Sequence, residues 1–330
     1  MKFAVGTYTR LGGPGIALCE LAGGSLRMAD AFDLVGDPIW VLSRDGGKTL
    51  FAACEDKNDG RGLVASFTMK DGSAQMTSVQ PSLGRACCHL ALDRAGKTLY
   101  AANYLDASVA VFPVENGRVL PAVQHIPHTG SGPNKNRQAQ AHVHQVVLSP
   151  DEREAFVCDL GADRVAVYAR EEGGLLREID SIPAPAGSGP RHLLFSGPDA
   201  FYLVGEVDST VSFYRRKNGG WTRINTRATI PEDRPDKEKN TASALRLCGD
   251  TLYVSNRGYD SLAAFPLDAD GTPGVPRLIP APGCCPRDFM VTENGFLFAH
   301  QVSGGVTLTD RAGAVLASLP IQGAVCVCPL

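Results

Sequence analysis

The chain has no Cys-x-x-Cys pair, no Gly-x-Ser-x-Gly elbow and almost no stretch with the spacing of an amphipathic helix. Nor does any apolar run approach the roughly 20 residues of a membrane-spanning helix. Each absence excludes something. The ten cysteines stand singly or as the adjacent pairs Cys87-Cys88 and Cys284-Cys285. That is neither a structural zinc pattern nor a disulfide scaffold. They read as reduced, mostly buried small hydrophobes. A net charge of −3 argues against a nucleic-acid partner held by bulk electrostatics. The opening MKFAVGTYT enters a strand-like pattern at once, with no apolar leader region. No signal peptide and no membrane partner are expected, and the expected location is cytoplasmic. Without the serine elbow, a nucleophilic serine of that type is not expected.

What is present is a repeat. The stretch from Ala141 to Arg170, AHVHQVVLSPDEREAFVCDLGADRVAVYAR, reads as three short strands, Gln145–Leu148, Ala155–Cys158 and Arg164–Tyr168. Turn signals at Ser149-Pro150-Asp151 and at 160–163 separate them. The second strand recurs as FAACE at Phe51, YAANY at Tyr100, FVCDL at Phe156, YLVGE at Tyr202, YVSNR at Tyr253 and LFAHQ at Leu297. An apolar strand precedes each by about ten residues, and an alternating strand usually follows. Several strands in a period of about 40–50 residues are the signature of a β-propeller blade.

Six repeats are complete. FAVGTY near the start resembles another second strand, with Gly15–Cys19 as its third, but no first strand precedes it. The tail, Ala314–Pro329, offers strands to complete it. The expectation is an all-β, seven-bladed propeller over residues 1–330, a single domain closed by pairing of its N- and C-terminal strands. Closure removes sheet edges that invite association, so a monomer is expected. Two linkers are long. Glu115–His142 is rich in His, Asn, Lys and Arg, and Arg223–Asn240 reads as a charged, solvent-facing excursion.

The repeat also predicts where chemistry gathers. In an antiparallel hairpin, the start of the first strand and the end of the second lie together. In a propeller the first strand lines the central channel. Eleven residues before each second-strand anchor stand Trp40, His89, Gln145, Arg191, Ala242 and Pro286, with His144 and Arg287 one residue out of register. Four residues after each anchor stand Glu55, Tyr104, Leu160, Glu206, Arg257 and Gln301. These positions ring one mouth. Arg191, Arg257 and Arg287 suit a carboxylate or phosphate through charge-assisted bonds. His144 and Glu206 suit general acid–base work. Taken singly, each reads as readily as a solvated strand end; matched offsets make the set more telling. His142-x-His144 raises a metal reading, with His89 as a third ligand. No acidic residue at metal spacing accompanies them and arginines crowd them, so neither a metal nor another cofactor is expected.

These stretches are familiar together. GSGPNKNRQAQAHVHQVVLSPD, DLGADRVAVY, CHLALDRAGKTLYAANYLDASVAVFPV, GPRHLLF, YLVGEVDSTVSFY, YVSNRGYDSLAAFPLD and PRDFMV occur in this order along essentially the whole chain. They resemble the lactonase family of seven-bladed propellers. That family includes one type of 6-phosphogluconolactonase and the fungal carboxy-cis,cis-muconate lactonizing enzyme. The resemblance implies a catalytic set of His144, Glu206, Arg191 and Arg257, the residues that the ring argument also selects. It also implies substrate-binding roles for His142, His89, Arg137, Gln138, Arg287 and Gln301. Two departures stand out. Cys87-Cys88 replaces a more usual proline-containing lead, and His300 stands where asparagine is common.

The resemblance implies a lactone hydrolase acting on a small anionic lactone, 6-phosphogluconolactone or a related sugar lactone. Water is activated by His144 or Glu206, with the arginines on the anion and the oxyanion. The residues leave open which of the two is the base. The same site also fits a lactonizing cyclase that adds a carboxylate across a double bond. A non-enzymatic propeller binding module is the third reading, because fold does not fix function.

Overall fold

The computed structural model describes residues 1–70 and 73–330. They form seven antiparallel sheets. The innermost strands are Gly36–Arg44, Cys87–Leu92, Val143–Leu148, Pro190–Gly197, Thr241–Cys248, Pro286–Val291 and Ala324–Pro329. Each touches the next, and the last touches the first, so the seven sheets close a ring about one axis. No α-helix occurs among the described residues; helical structure there is limited to short 3-10 turns.

The central repeat forms as its pattern predicts, with slightly longer strands. Val143–Leu148 pairs with Glu154–Asp159, which pairs with Arg164–Arg170, and Leu176–Pro183 is the outer strand. The first strand therefore begins at Val143 and takes in His144, which the sequence reading sets just before it.

The ring is closed by both ends of the chain. Ala324–Pro329 lies inside Lys2–Thr7, with Val5 opposite Val327 and Ala4 opposite Cys328. Lys2–Thr7 then pairs with Ile16–Ala22, the third strand expected from sequence. Only the last tail strand joins this blade. Val315–Pro320 is instead the outer strand of the sixth repeat, paired with Gly305–Asp310. The charged linker is also partly regular. Gly220–Ala228 is an outer strand, and the mainly exposed stretch is limited to 231–239.

Apolar residues alternate along the middle strands and fill the spaces between neighbouring blades. One such layer joins Tyr100, Val109, Val146, Val157 and Tyr168, and another joins Tyr202, Phe213, Leu245 and Phe265. Burial of this kind is worth about 25 cal/mol per Å² of apolar surface. The recurrent polar residue at the end of the second strand has a structural task. Asn103 Nδ2 donates to Ser82 O at 2.8 Å and Ser108 Oγ at 3.1 Å, while Ser82 Oγ donates to Asn103 Oδ1 at 2.5 Å. Asn256 repeats this with Thr229 and Ser261. Each ties down the chain arriving from the preceding blade. Asp159 holds the same position in the third sheet and accepts from the His142 N–H at 2.9 Å and the Ala162 N–H at 3.1 Å. His300 holds it in the sixth, where neither ring nitrogen has a partner and burial lowers its pKa to about 4.

Loss of the Asn103 clamp leaves a buried carbonyl and hydroxyl unpaired. Asn103→Ala is expected to cost about 2 kcal/mol or more in denaturant unfolding. A loss below about 0.5 kcal/mol, the range of neutral surface changes, contradicts this role.

Candidate active site

The inner strands share a defect that aims their side chains. In five of them a single residue has no opposite partner. Val143 pairs with Asp159 and Gln145 with Cys158, leaving His144 extra. Arg191 is extra between Pro190 and His192, Arg287 between Pro286 and Asp288, and Cys88 between Cys87 and His89. Such bulges bend a strand and re-aim the extra side chain. These four bulged residues line one cavity of about 300 Å³ at the mouth of the channel; the fifth, Val325, extra between Ala324 and Cys326 of the closing strand, does not. From the ends of the second strands come Tyr8, Glu55, Tyr104, Glu206 and Arg257, and the long loop after the second repeat adds Arg137.

Glu206 is the hub of this cavity. Its carboxylate is 4% exposed and meets three guanidinium groups. Arg191 Nη1 lies 2.5 Å from Oε2, Arg257 Nη2 lies 2.9 Å from Oε2, and Arg137 Nη2 donates to Oε1. Burial opposes the negative charge, but Arg257, Arg191 and Arg137 outweigh it and hold the carboxyl well below its ordinary range. Glu206 is thus a fixed carboxylate at neutral pH. Arg191 is as buried as Glu206, and burial lowers its pKa to about 9, which leaves it charged near neutrality.

Arg191 Nη1 also lies against His144 Nε2 in a short contact. A guanidinium can only donate, so Nε2 carries the lone pair and the ring proton sits on Nδ1. Nδ1 is buried with no hydrogen-bond partner. Burial, and then the neighbouring Arg191 charge, hold the His144 pKa well below 6.5. His144 is therefore neutral at physiological pH, with its acceptor nitrogen directed at the arginine–carboxylate cluster.

The remaining sequence candidates divide. Arg287 lines the cavity, its guanidinium 5.7 Å from the Tyr8 ring centroid, and its Nη1 donates to Gln301 Oε1 at 3.2 Å. Gln301 itself does not line the cavity. His89 lies deeper in the channel, 4.2 Å from Trp40 and 5.9 Å from His192 between ring centroids, with burial lowering its pKa to about 3. His142 stacks on Tyr104 at 4.4 Å outside the cavity, its Nδ1 2.9 Å from Tyr104 O. Gln138 is fully buried and clamps the long loop, donating to Leu160 O at 2.9 Å and Asp163 Oδ1 at 2.6 Å. That clamp places Arg137, its neighbour. Among the described residues, no group of three or more His, Cys, Asp or Glu is arranged to hold a metal ion. Cys88 faces the cavity, but burial raises its thiol to about 12, leaving it a poor nucleophile. Tyr8, Arg10 and Glu55 also line the cavity, and the sequence assigns none of them a catalytic or binding role. Glu55 was already legible as a member of the second ring.

A larger groove of about 1290 Å³ lies among the hairpin turns at the other end of the strands. Its Arg170 is spent on Asp93 at 2.9 Å and Tyr100 OH at 2.7 Å, and no histidine lines it. The convergent chemistry is at the channel mouth.

Ring and site together define a propeller with an arginine-rich, histidine-bearing cavity on its axis. The chain belongs to the family described as "Lactonase, 7-bladed beta-propeller", whose model matches residues 2–326. It is 30% identical over 318 residues to the 6-phosphogluconolactonase of Bacillus subtilis, covering 93% of this chain and 90% of that one. A crystal structure of a Lactobacillus plantarum protein superposes with a TM-score of 0.90 at 29% identity, covering 99% of this chain and 98% of the other. The periplasmic gluconolactonase PpgL of Pseudomonas aeruginosa superposes with a TM-score of 0.89 at 30% identity, over the same shares of the two chains.

Removing the negative hub strands buried positive charge. Glu206→Gln is expected to destabilise the fold by about 3 kcal/mol, the scale for breaking a buried ion pair. Urea unfolding checks this, and a variant as stable as the parent rules out the hub.

Proposed function

We propose that this protein is a lactone hydrolase of the 6-phosphogluconolactonase kind, with His144 as the base. The observation that carries the reading is the state of the two candidate bases. Glu206 is pinned as a carboxylate by three arginines, whereas His144 is neutral with its Nε2 lone pair facing the cavity. Substrate draws Arg191 toward its own oxygen and frees that lone pair for water. Water then attacks the ring carbonyl carbon, and His144 Nε2 takes its proton. Arg191 and Arg257 stabilise the oxyanion, and Arg287 and Arg137 hold the rest of the anion. The C–O bond of the ring breaks, the ring oxygen takes the proton back from His144, and a hydroxy acid leaves. No step requires a cofactor. The names carried by the Bacillus subtilis and Pseudomonas aeruginosa relatives support a sugar lactone as substrate.

The protein acts as a monomer on a small-molecule partner, a reading supported by the closed ring of sheets. The cytoplasm remains the proposed location. Its support is that all ten cysteines are free and most are buried, as expected in a reducing compartment.

The test is hydrolysis of freshly made 6-phosphogluconolactone beside unphosphorylated gluconolactone, each corrected for spontaneous opening. The parent protein is expected to accelerate at least one of them, with the phosphorylated lactone preferred. His144→Ala is expected to lower kcat by about 100-fold or more, the usual contribution of a positioned acid–base group. If neither lactone is accelerated, the reading fails and muconates are the next substrates to try.

A further inference from the structure

Among the described lining residues, the cavity holds two carboxylates, and they differ in what they are free to do. Glu206 is consumed by three guanidinium groups. Glu55, at the end of Thr49–Glu55, has one polar contact, Arg10 Nη1 at 3.3 Å from Oε2. Arg10 is itself held elsewhere. Its Nη1 donates to Asp37 Oδ2, its backbone N–H donates to Asp37 Oδ1 at 3.1 Å, and its guanidinium lies 4.2 Å from the Tyr8 ring centroid. Asp37 is 5% exposed and Arg10 is 54% exposed, so Asp37 anchors Arg10 and leaves Glu55 little shared charge. A carboxylate offers about four acceptor sites, and most of those on Glu55 are unspent.

Its position gives those sites a use. Glu55 is 19% exposed at the side chain and lines both the central cavity and an adjoining outer pocket of about 410 Å³. The other charged side chains of the central cavity are arginines, apart from the spent Glu206. A ligand whose anionic or carbonyl end takes the arginines therefore meets one open acceptor at Glu55. Hydroxyl groups satisfy that acceptor, whereas a second carboxylate is repelled by it and an apolar chain leaves it desolvated and unpaired.

We propose that Glu55 is a specificity-determining residue that accepts hydrogen bonds from the hydroxyl groups of a polyhydroxylated ligand. The inference rests on the lactonase reading for the kind of ligand, but not for its test. Glu55 selects a sugar acid or sugar lactone over a hydroxyl-free acid of equal length. Burial also raises its carboxyl above 4.5, which follows from the same shortage of partners.

The experiment is equilibrium binding by calorimetry, with gluconate and hexanoate as the two probes. Both carry one carboxylate on six carbons, and only gluconate carries hydroxyls. Glu55→Gln keeps the shape and removes the charge. It is expected to weaken gluconate binding by about tenfold, the scale of a hydrogen bond to a charged acceptor, with hexanoate binding equal or tighter. Thermal unfolding of the variant is expected to match the parent. Unchanged gluconate affinity, an equal loss for both probes, or a parent protein that does not bind gluconate overturns the inference. The lactonase reading fails separately. A protein that hydrolyses lactones while its gluconate affinity ignores Glu55 refutes this inference alone. One that binds gluconate through Glu55 yet accelerates no lactone refutes the hydrolase alone.

Discussion

Everything at the channel mouth depends on the buried carboxylate of Glu206. Three guanidinium groups converge on it from three parts of the chain: Arg137 from a long loop, Arg191 from an inner strand and Arg257 from the end of a second strand. Charges taken out of water are costly unless paired, and here one negative group anchors several positive ones. The arrangement leaves the cluster with a surplus of positive charge, supplemented by Arg287. That surplus suits an anion, and it adds to burial in suppressing protonation of His144, which shares a hydrogen of Arg191. A single ion-pair hub thus gathers the charge of the cavity beside a histidine that burial, and then Arg191, keep neutral.

The scaffold makes the cluster possible through small irregularities in a regular plan. Seven inner strands run side by side around the axis, and a regular strand alternates its side chains between the two faces of its sheet. At Cys88, His144, Arg191 and Arg287 an extra residue breaks that alternation and directs a side chain to the mouth. The flanking strands remain paired, so the ladder holds the bulged residues on rigid backbone. Gln138 and Asn134 do the same for the one contributor that comes from a loop, Arg137.

The fold was legible because its signal is repeated. Phe51, Tyr100, Phe156, Tyr202, Tyr253 and Leu297 each lie two residues inside a mostly buried second strand, and the orphan FAVGTY found its inner neighbour in the tail. The mouth was legible too, because hairpin geometry brings Glu206 beside Arg191 and the ring of blades adds Arg257 from the next sheet. What escaped the matched offsets were the bulges. No side-chain pattern marks an extra residue in a strand. The hairpin turns also differ in length, six residues between Leu148 and Ala155 but four between Val291 and Phe296, which moves His144 and Arg287 one residue outside the eleven-residue register. The bulge at Cys88 sends that residue to the cavity and leaves its neighbour His89 deeper in the channel. Gln138 misled for another reason. A polar residue in a polar loop can serve the loop itself, and its burial is visible only in three dimensions. Tyr8, in the seventh blade, lay beyond the six aligned repeats, and Arg10 follows it in a turn that no repeat predicts.

The account stands or falls on the state of His144, because a base that is already protonated cannot take a proton from water. The direct measurement is a nitrogen-15 NMR titration of the histidine rings, with His144 assigned by comparison with His144→Ala. The predicted result is a neutral ring at pH 7, protonated at Nδ1 and bare at Nε2, that stays neutral as the pH falls below 6.5, because burial and Arg191 depress its pKa. Protonation at Nε2 at pH 7, or titration at or above 6.5, contradicts the account.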